Sequence, residues 1–401
     1  MTVPLPSPLT PTAPEQCRAD VTGPEQEWSP RMSQSTRRSV VVIGAGASGL
    51  AAASILTRAG HDVVVLESRE RIGGRLLSAP ATAERSLDLG ATWFWDDERH
   101  VRTLLADSGL GSFPQHTTGD AVHQDAGGVQ RLAGNPIDAR SNRFTGSAAA
   151  LTDALAASLP PGTLRLGTPV TAIRTTPSGL TVHTPDSVIE AEHVVLAVPP
   201  ALALARIDFD GQLPADLVRV AEQTPIWMGA VVKVVAEYPK AFWRRDGLAG
   251  AAFSRTGPLQ EIHDMSGPGG QPAALFGFAH ASTARSAGPG FRAAVTGQLA
   301  QLFGPQAAQP LALHVQDWSA EQWTSPAQVA QLDDYSLFGH RLYQRPALDG
   351  RLHWASTETA RGYAGHIEGA LAGGERAAHA ILHALPDPNP EPATAASAPA
   401  A

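Results

Sequence analysis

The chain has 401 residues, 43% of them apolar, with 38 glycines and 33 prolines, which is enough for a sizeable core and two or three lobes. Its formal charge is −8 and it contains only two lysines, Lys233 and Lys240, which argues against a nucleic-acid footprint. The single cysteine, Cys17, rules out an intramolecular disulfide framework and a cysteine-based metal site, and no apolar run reaches the roughly 18 residues that span a bilayer.

In chain order, residues 1–36 are rich in Pro, Thr, Ser and Gln without periodicity and read as a disordered tail, with Met32 as an alternative start. Arg37-Arg38 precede apolar residues, but that run has a better use as a strand and glycine turn than as an export signal. Val40 to Ile43 reads as a strand, Ala47 to Arg58 as a helix closed by Gly60, and His61 to Leu66 as a second strand, together one βαβ unit. From Leu164 to Val198, VTAIRTT, GLTVHT, SVIEA and HVVLAVPP read as four short strands. The stretches between these blocks, and again from about residue 226 to 330, are less regular and carry most of the tryptophans. RLHWAS adds a strand, and GHIEGALAGGERAAHAILHAL a long helix with Leu371, Ala378, Ile381 and Leu382 available for a buried stripe. Residues 385–401 read as a second tail.

The run VVVIGAGASG holds G-x-G-x-x-G at Gly44, Gly46 and Gly49, between a strand and a helix. Gly44 permits a tight turn, Gly46 lets the backbone approach a pyrophosphate, and Gly49 allows close helix packing, with the helix N-terminus facing the anion. Glu67 ends the next strand, where an acid accepts hydrogen bonds from a ribose. ESRERIGGRLLS follows with Gly73, Gly74 and Arg75, whose fork suits a phosphate.

Val40 to Ser78 resembles the FAD fingerprint of the flavin-containing amine oxidases, the group of monoamine and polyamine oxidases. The resemblance covers most of the body: GATWF is similar to the segment beside the isoalloxazine, RFTGSAAALTDALAASL to a helix start (with Ser147 in place of a glycine), and STETARGYAGHIEGALAGGERAA to the C-terminal signature. It implies an α/β fold: a Rossmann-like FAD-binding domain of the glutathione-reductase type, formed by 37–95, 163–224 and 330–384, with an inserted α+β substrate domain from 96–162 and 225–329. It further implies FAD contacts from Gly44, Gly46, Ser48, Gly49, Glu67, Arg69, Gly74, Arg75, Gly90, Ala91, Thr92, Val170, Thr357, Glu358 and Ile367, and pocket walls from Trp93, Trp318, Trp323 and Gln328. No metal ligand is assigned.

Lys233 lies in an apolar run, VVKVV, where an edge strand with its lysine in water is the bland reading. The resemblance places it instead beside the flavin N5 atom, through a water, as a desolvated group that assists reoxidation. His366 stands where the family often has a cage tyrosine, and is either catalytic or an ordinary helix-start residue. Ala327 occupies the position of the cysteine that anchors FAD in some members, so FAD is expected to be non-covalent. EIHD, Glu261 to Asp264, reads as a solvated turn. The expected activity is oxidation of an amine to an imine, with hydride transfer to flavin N5 and reoxidation by O2 to hydrogen peroxide, in a cytoplasmic, bacterial-style enzyme without membrane or nucleic-acid partners; a homodimer is left open. The alternatives are an L-amino-acid oxidase, with Arg143 or Arg341 holding the carboxylate, a protoporphyrinogen- or phytoene-type desaturase, and a flavin-binding scaffold without turnover.

Overall fold

The computed structural model describes residues 36–82, 86–327, 332 and 334–385. Of the expected tails 1–36 and 385–401, all but Thr36, which begins a strand, and Leu385, the C-cap of the last helix, lie outside the described residues, as do Cys17 and Gln328. The fold is α/β and is organised around two seven-stranded sheets.

The first sheet runs in the order Leu164–Arg165, Val63–Leu66 (β2), Thr36–Ile43 (β1), Val188–Leu196, Gly179–His183, Ala172–Thr176, and Leu352–Trp354 pairs parallel to Val188–Leu196. Val40 to Ile43 of β1 and the whole of β2 read as unbroken apolar runs because both faces are covered there. Val40, Val42, Val63 and Val65 pack under helix Ala47–Arg58 (α1) and the C-terminal helix Ile367–Ala384, while Val41, Ile43, Val64 and Leu66 join the core on the opposite face. α1 occurs over the span expected, and Gly60 follows it with φ +85°. β1 is longer than expected, because Thr36 to Arg38 continue the parallel ladder with Ile189 to Ala191. SVIEA and HVVLAVPP are not two strands but one, Val188–Leu196: no turn residue separates them, and the single strand pairs with β1 along its length. In the C-terminal helix Leu371, Ala378 and Ile381 are buried and Leu382 packs against the same core.

The second sheet runs Ala312–Asp317, Val231–Tyr238, Ala273–His280, Glu261–Asp264, Leu248–Ser254, Asp120–Asp125, Gly128–Leu132. One of its faces is closed by helix Phe291–Phe303, with Val232, Val234, Leu275 and Val295 in the shared core. Val231–Tyr238 is bonded on both sides, with Lys233 opposite Phe278 on one neighbour and Gln316 on the other, so the edge-strand reading of Lys233 fails.

EIHD is likewise not a solvated turn but an interior strand. Asp264 is fully buried and accepts from Trp243 Nε1 (2.8 Å), Arg244 Nε (2.8 Å) and Nη2 (2.9 Å), and Ser266 N (2.7 Å). His263 is also buried, with Nδ1 at 2.5 Å from Asp138 Oδ1 and Nε2 at 2.7 Å from Glu261 Oε1. Burial alone would lower its pKa, but the two carboxylates outweigh burial and hold it above the ordinary value. A raised folded-state pKa contributes stability that is complete below the unfolded value of about 6.5 and is lost as pH rises through the folded value. The denaturant midpoint of the wild type should therefore fall relative to that of His263→Gln as pH is raised from about 6 to about 9; parallel profiles for the two proteins would remove this role.

Candidate active site

The glycine turn between β1 and α1 forms one wall of a cavity lined also by Glu67, Arg69, Gly73 to Leu76, Ala91, Val198, Trp227, Met228, Trp323, Thr324, Ser356, Thr357, His366 and Ile367. Gly44 has φ +102°, and a Cβ there would stand 3.0 Å from both Ala197 O and Val198 Cγ1. A Cβ on Gly49 would run into the Gly44 carbonyl, whereas one on Gly46 would meet nothing nearer than Gly73 O at 4.0 Å. Two positions are thus closed by packing, and the third leaves backbone open to the cavity. The Glu67 carboxylate is held at the end of β2 by Ala45 N (2.8 Å) and Arg69 N (3.0 Å), and retains lone pairs for a ligand hydroxyl.

Two helices direct their N-termini at this cavity, α1 through Gly46 to Ser48 and the C-terminal helix through His366 and Ile367. Neither has a side-chain cap, so their first amides and dipoles remain available to negative charge. Ser48 Oγ donates to Ala355 O, fastening one helix start to the loop before the other. Thr357 Oγ1 donates to His366 O (2.8 Å) and accepts from Gly365 N (2.9 Å), which shapes the backbone that presents His366.

Arg75 does not present a free fork. Its Nη1 and Nη2 are bidentate to the fully buried Glu358 at 2.6 and 3.1 Å, and Nη1 also donates to Trp227 O. Arg69 reaches Glu321 Oε2 (2.9 Å) and Thr324 Oγ1 (2.7 Å), a link between segments 252 residues apart that spacing did not disclose. Lys233 is fully buried behind the cavity wall: its Nζ donates to Gly90 O (2.8 Å) and Thr92 Oγ1, with the Phe276 ring centroid 4.5 Å away. Burial pushes its pKa down to about 7, with Asp88 opposing the shift and Arg143 adding to it. Asp88 is pushed up to about 6, also by burial.

The other expected residues are dispersed. Val170 belongs to the core beneath the first sheet. Trp93 donates to Gln115 Oε1 (3.1 Å) and packs edge-on against His263. Trp323 lines the cavity with Arg206 stacked on it, but Trp318, expected on a pocket wall, is instead fully buried, its indole N–H drawn inward to donate to Leu89 O (3.0 Å). Arg143 is also buried, donating to Ser266 O, and does not line the cavity. Sequence reasoning passed over Glu98, Glu321 and Ser356; the clue at Glu98 was a glutamate, a poor cap, directly before the helix Arg99–Asp107 (α2).

The sequence matches the model of the flavin containing amine oxidoreductases over residues 47–147 and 139–382. The chain belongs to that family. A Mycobacterium tuberculosis protein named as a flavin-containing monoamine oxidase is 28% identical over 86% of this chain and 97% of its own length. Putrescine oxidase of Kocuria rosea is 25% identical over 86% of this chain and 95% of its own. The structure of a wild-type putrescine oxidase bound to putrescine aligns with a TM-score of 0.76 at 23% identity, covering 87% of this chain and all of that one. The family assigns FAD as cofactor and amine oxidation as the reaction class. The cavity fits that cofactor: the Gly46 face is open to a close backbone approach, and the buried Ser356 Oγ on the wall has no hydrogen-bond partner among the described residues.

Among the described residues no helix is long and apolar enough to cross a membrane, and no cluster of His, Cys, Asp or Glu could hold a metal ion. Gly49→Ala should cost about 2 kcal/mol or more of stability, because the methyl meets backbone that cannot turn aside, and should release FAD on gel filtration. Wild-type stability with full retention of flavin would contradict the packing argument.

Proposed function

We propose that this chain oxidises a neutral amine carrying a C–H bond next to nitrogen, with dioxygen as the second substrate, and that 37–95, 163–224 and 330–384 form a glutathione-reductase-type FAD domain while 96–162 and 225–329 face the substrate. The observation that carries the proposal is the convergence of two uncapped helix N-termini, the glycine turn and Glu67 on one cavity, with the buried Lys233 behind its wall. Bound FAD supplies the hydride acceptor and, with O2, the route to hydrogen peroxide.

The chain's own residues bind, orient and move protons. Glu67 would hold the ribose hydroxyls, and the amides of α1 the pyrophosphate. The C-terminal helix start would stabilise negative charge on the bound cofactor. Lys233, whose pKa is pushed down to about 7, holds a proton at Nζ that it can give up near neutral pH, and its bonds to Gly90 and Thr92 hold the wall that includes Ala91. Arg143 is committed to Ser266 inside the protein, which leaves it unsuited to a substrate carboxylate and favours an amine over an amino acid. Ala327 offers no thiol, so the cofactor is held without a covalent bond.

Anaerobic addition of primary amines, polyamines and amino acids to the yellow protein should bleach the flavin with an amine only, and admitting air should restore the colour with release of peroxide. Acid precipitation should leave all the FAD in the supernatant. Bleaching by amino acids alone, or by nothing offered, would overturn the reading.

A further inference from the structure

Glu98 has no part in the site as the family resemblance describes it, yet it is fully buried, so its carboxyl group needs partners inside the protein. It occupies the N-cap of α2 but its side chain does not cap that helix. The first amides of α2 are taken instead by Glu368, from the start of the C-terminal helix, which accepts from His100 N (3.0 Å) and Val101 N (2.9 Å). Glu98 is thereby free to reach the other way, and its Oε1 stands 2.7 Å from His366 Nδ1. Its Oε2 is buried with no partner among the described residues.

The imidazole itself is held on several sides. The Trp95 ring lies 5.0 Å away at 35°, Tyr363 lies 6.0 Å away, and Tyr363 Oη donates to Asp97 Oδ2 (2.6 Å). Unlike Glu98, the His366 side chain is 38% exposed and lines the cavity together with Gly46 and Thr357. An ionised carboxylate only accepts, so Nδ1 donates to Glu98 and the neutral ring keeps its lone pair at Nε2.

We propose that His366 and Glu98 form a dyad that accepts the proton of an incoming ammonium, with His366 Nε2 as the base and Glu98 as the positioning residue that sets its tautomer. The inference rests on the amine-oxidation reading. An alkylamine with a pKa near about 10 arrives protonated at neutral pH, and its nitrogen lone pair must be free before hydride can leave the adjacent carbon. In the proposed step one ammonium N–H bond breaks and an N–H bond forms at Nε2; the substrate becomes a neutral amine, the ring an imidazolium, and no electrons are transferred. The imidazolium then lies against the buried Glu98 carboxylate, whose unpartnered oxygen makes a neighbouring cation favourable.

The test uses the holoprotein at one neutral pH, with benzylamine, butane-1,4-diamine and cyclohexylamine as probes. Stopped-flow flavin reduction should slow about 100-fold in both Glu98→Gln and His366→Phe, with FAD still bound. Without substrate, long-range proton–nitrogen NMR of histidine-labelled protein should show His366 protonated at Nδ1 in the wild type. That preference should be lost in Glu98→Gln, whose amide can donate as well as accept. A wild-type ring protonated at Nε2, or variants reduced within about two-fold of wild type, would overturn the dyad while leaving amine oxidation standing. A wild-type flavin that no probe bleaches would remove the amine reading and the dyad with it. Should Glu98→Gln lose its flavin, the wild-type tautomer and the His366→Phe rate decide.

Discussion

A buried ammonium organises this molecule. Lys233 sits in an interior strand with apolar neighbours and no access to water, so protein groups must replace its hydration. Gly90 O and Thr92 Oγ1 do so, and the Phe276 face adds its quadrupole. Those two oxygens belong to the segment that returns after the glycine box, where Ala91 N bonds back to Arg75 O. Lys233 therefore ties the second sheet to the segment around Ala91, which lines the cavity beside the glycine turn.

A second constraint closes the chain on itself. Arg75, from the glycine-rich box, and Glu358, from the C-terminal signature, pair bidentately although 283 residues separate them. Breaking such a pair would strand a buried charge, so the first and last segments of the fold are held together there. The exchange between Glu98, His366 and Glu368 repeats the device between α2 and the C-terminal helix. The two helix N-termini that border the cavity carry no side-chain caps, which leaves their positive potential open to an anion there.

What was legible in the sequence was local. Gly44, Gly46 and Gly49 announce the turn because each has a distinct steric duty, and α1 has the bounds expected of it because Gly60 ends it. Lys233 stood out because lysine is rare in this chain and foreign to a valine run. Features that depend on distant partners were not legible. EIHD looks polar, yet Asp264 is buried because Trp243, Arg244 and Ser266 converge on it. Trp318 looked like a pocket aromatic, and only the position of Leu89 O makes it core. Arg75 looked like a phosphate fork until Glu358 came within reach, and the significance of Glu98 depends wholly on His366, far along the chain.

The proposed role of Lys233 is that of a desolvated proton-holding group of the oxidative half-reaction, beyond that of a core anchor. The most direct measurement is stopped-flow reoxidation of the reduced flavin by air-saturated buffer in Lys233→Met beside wild type. The variant should retain FAD and be reduced by amine within a few-fold of wild type, with reoxidation slowed at least about 100-fold. Unchanged reoxidation in a folded, flavin-loaded Lys233→Met would contradict it and return Lys233 to a purely structural role.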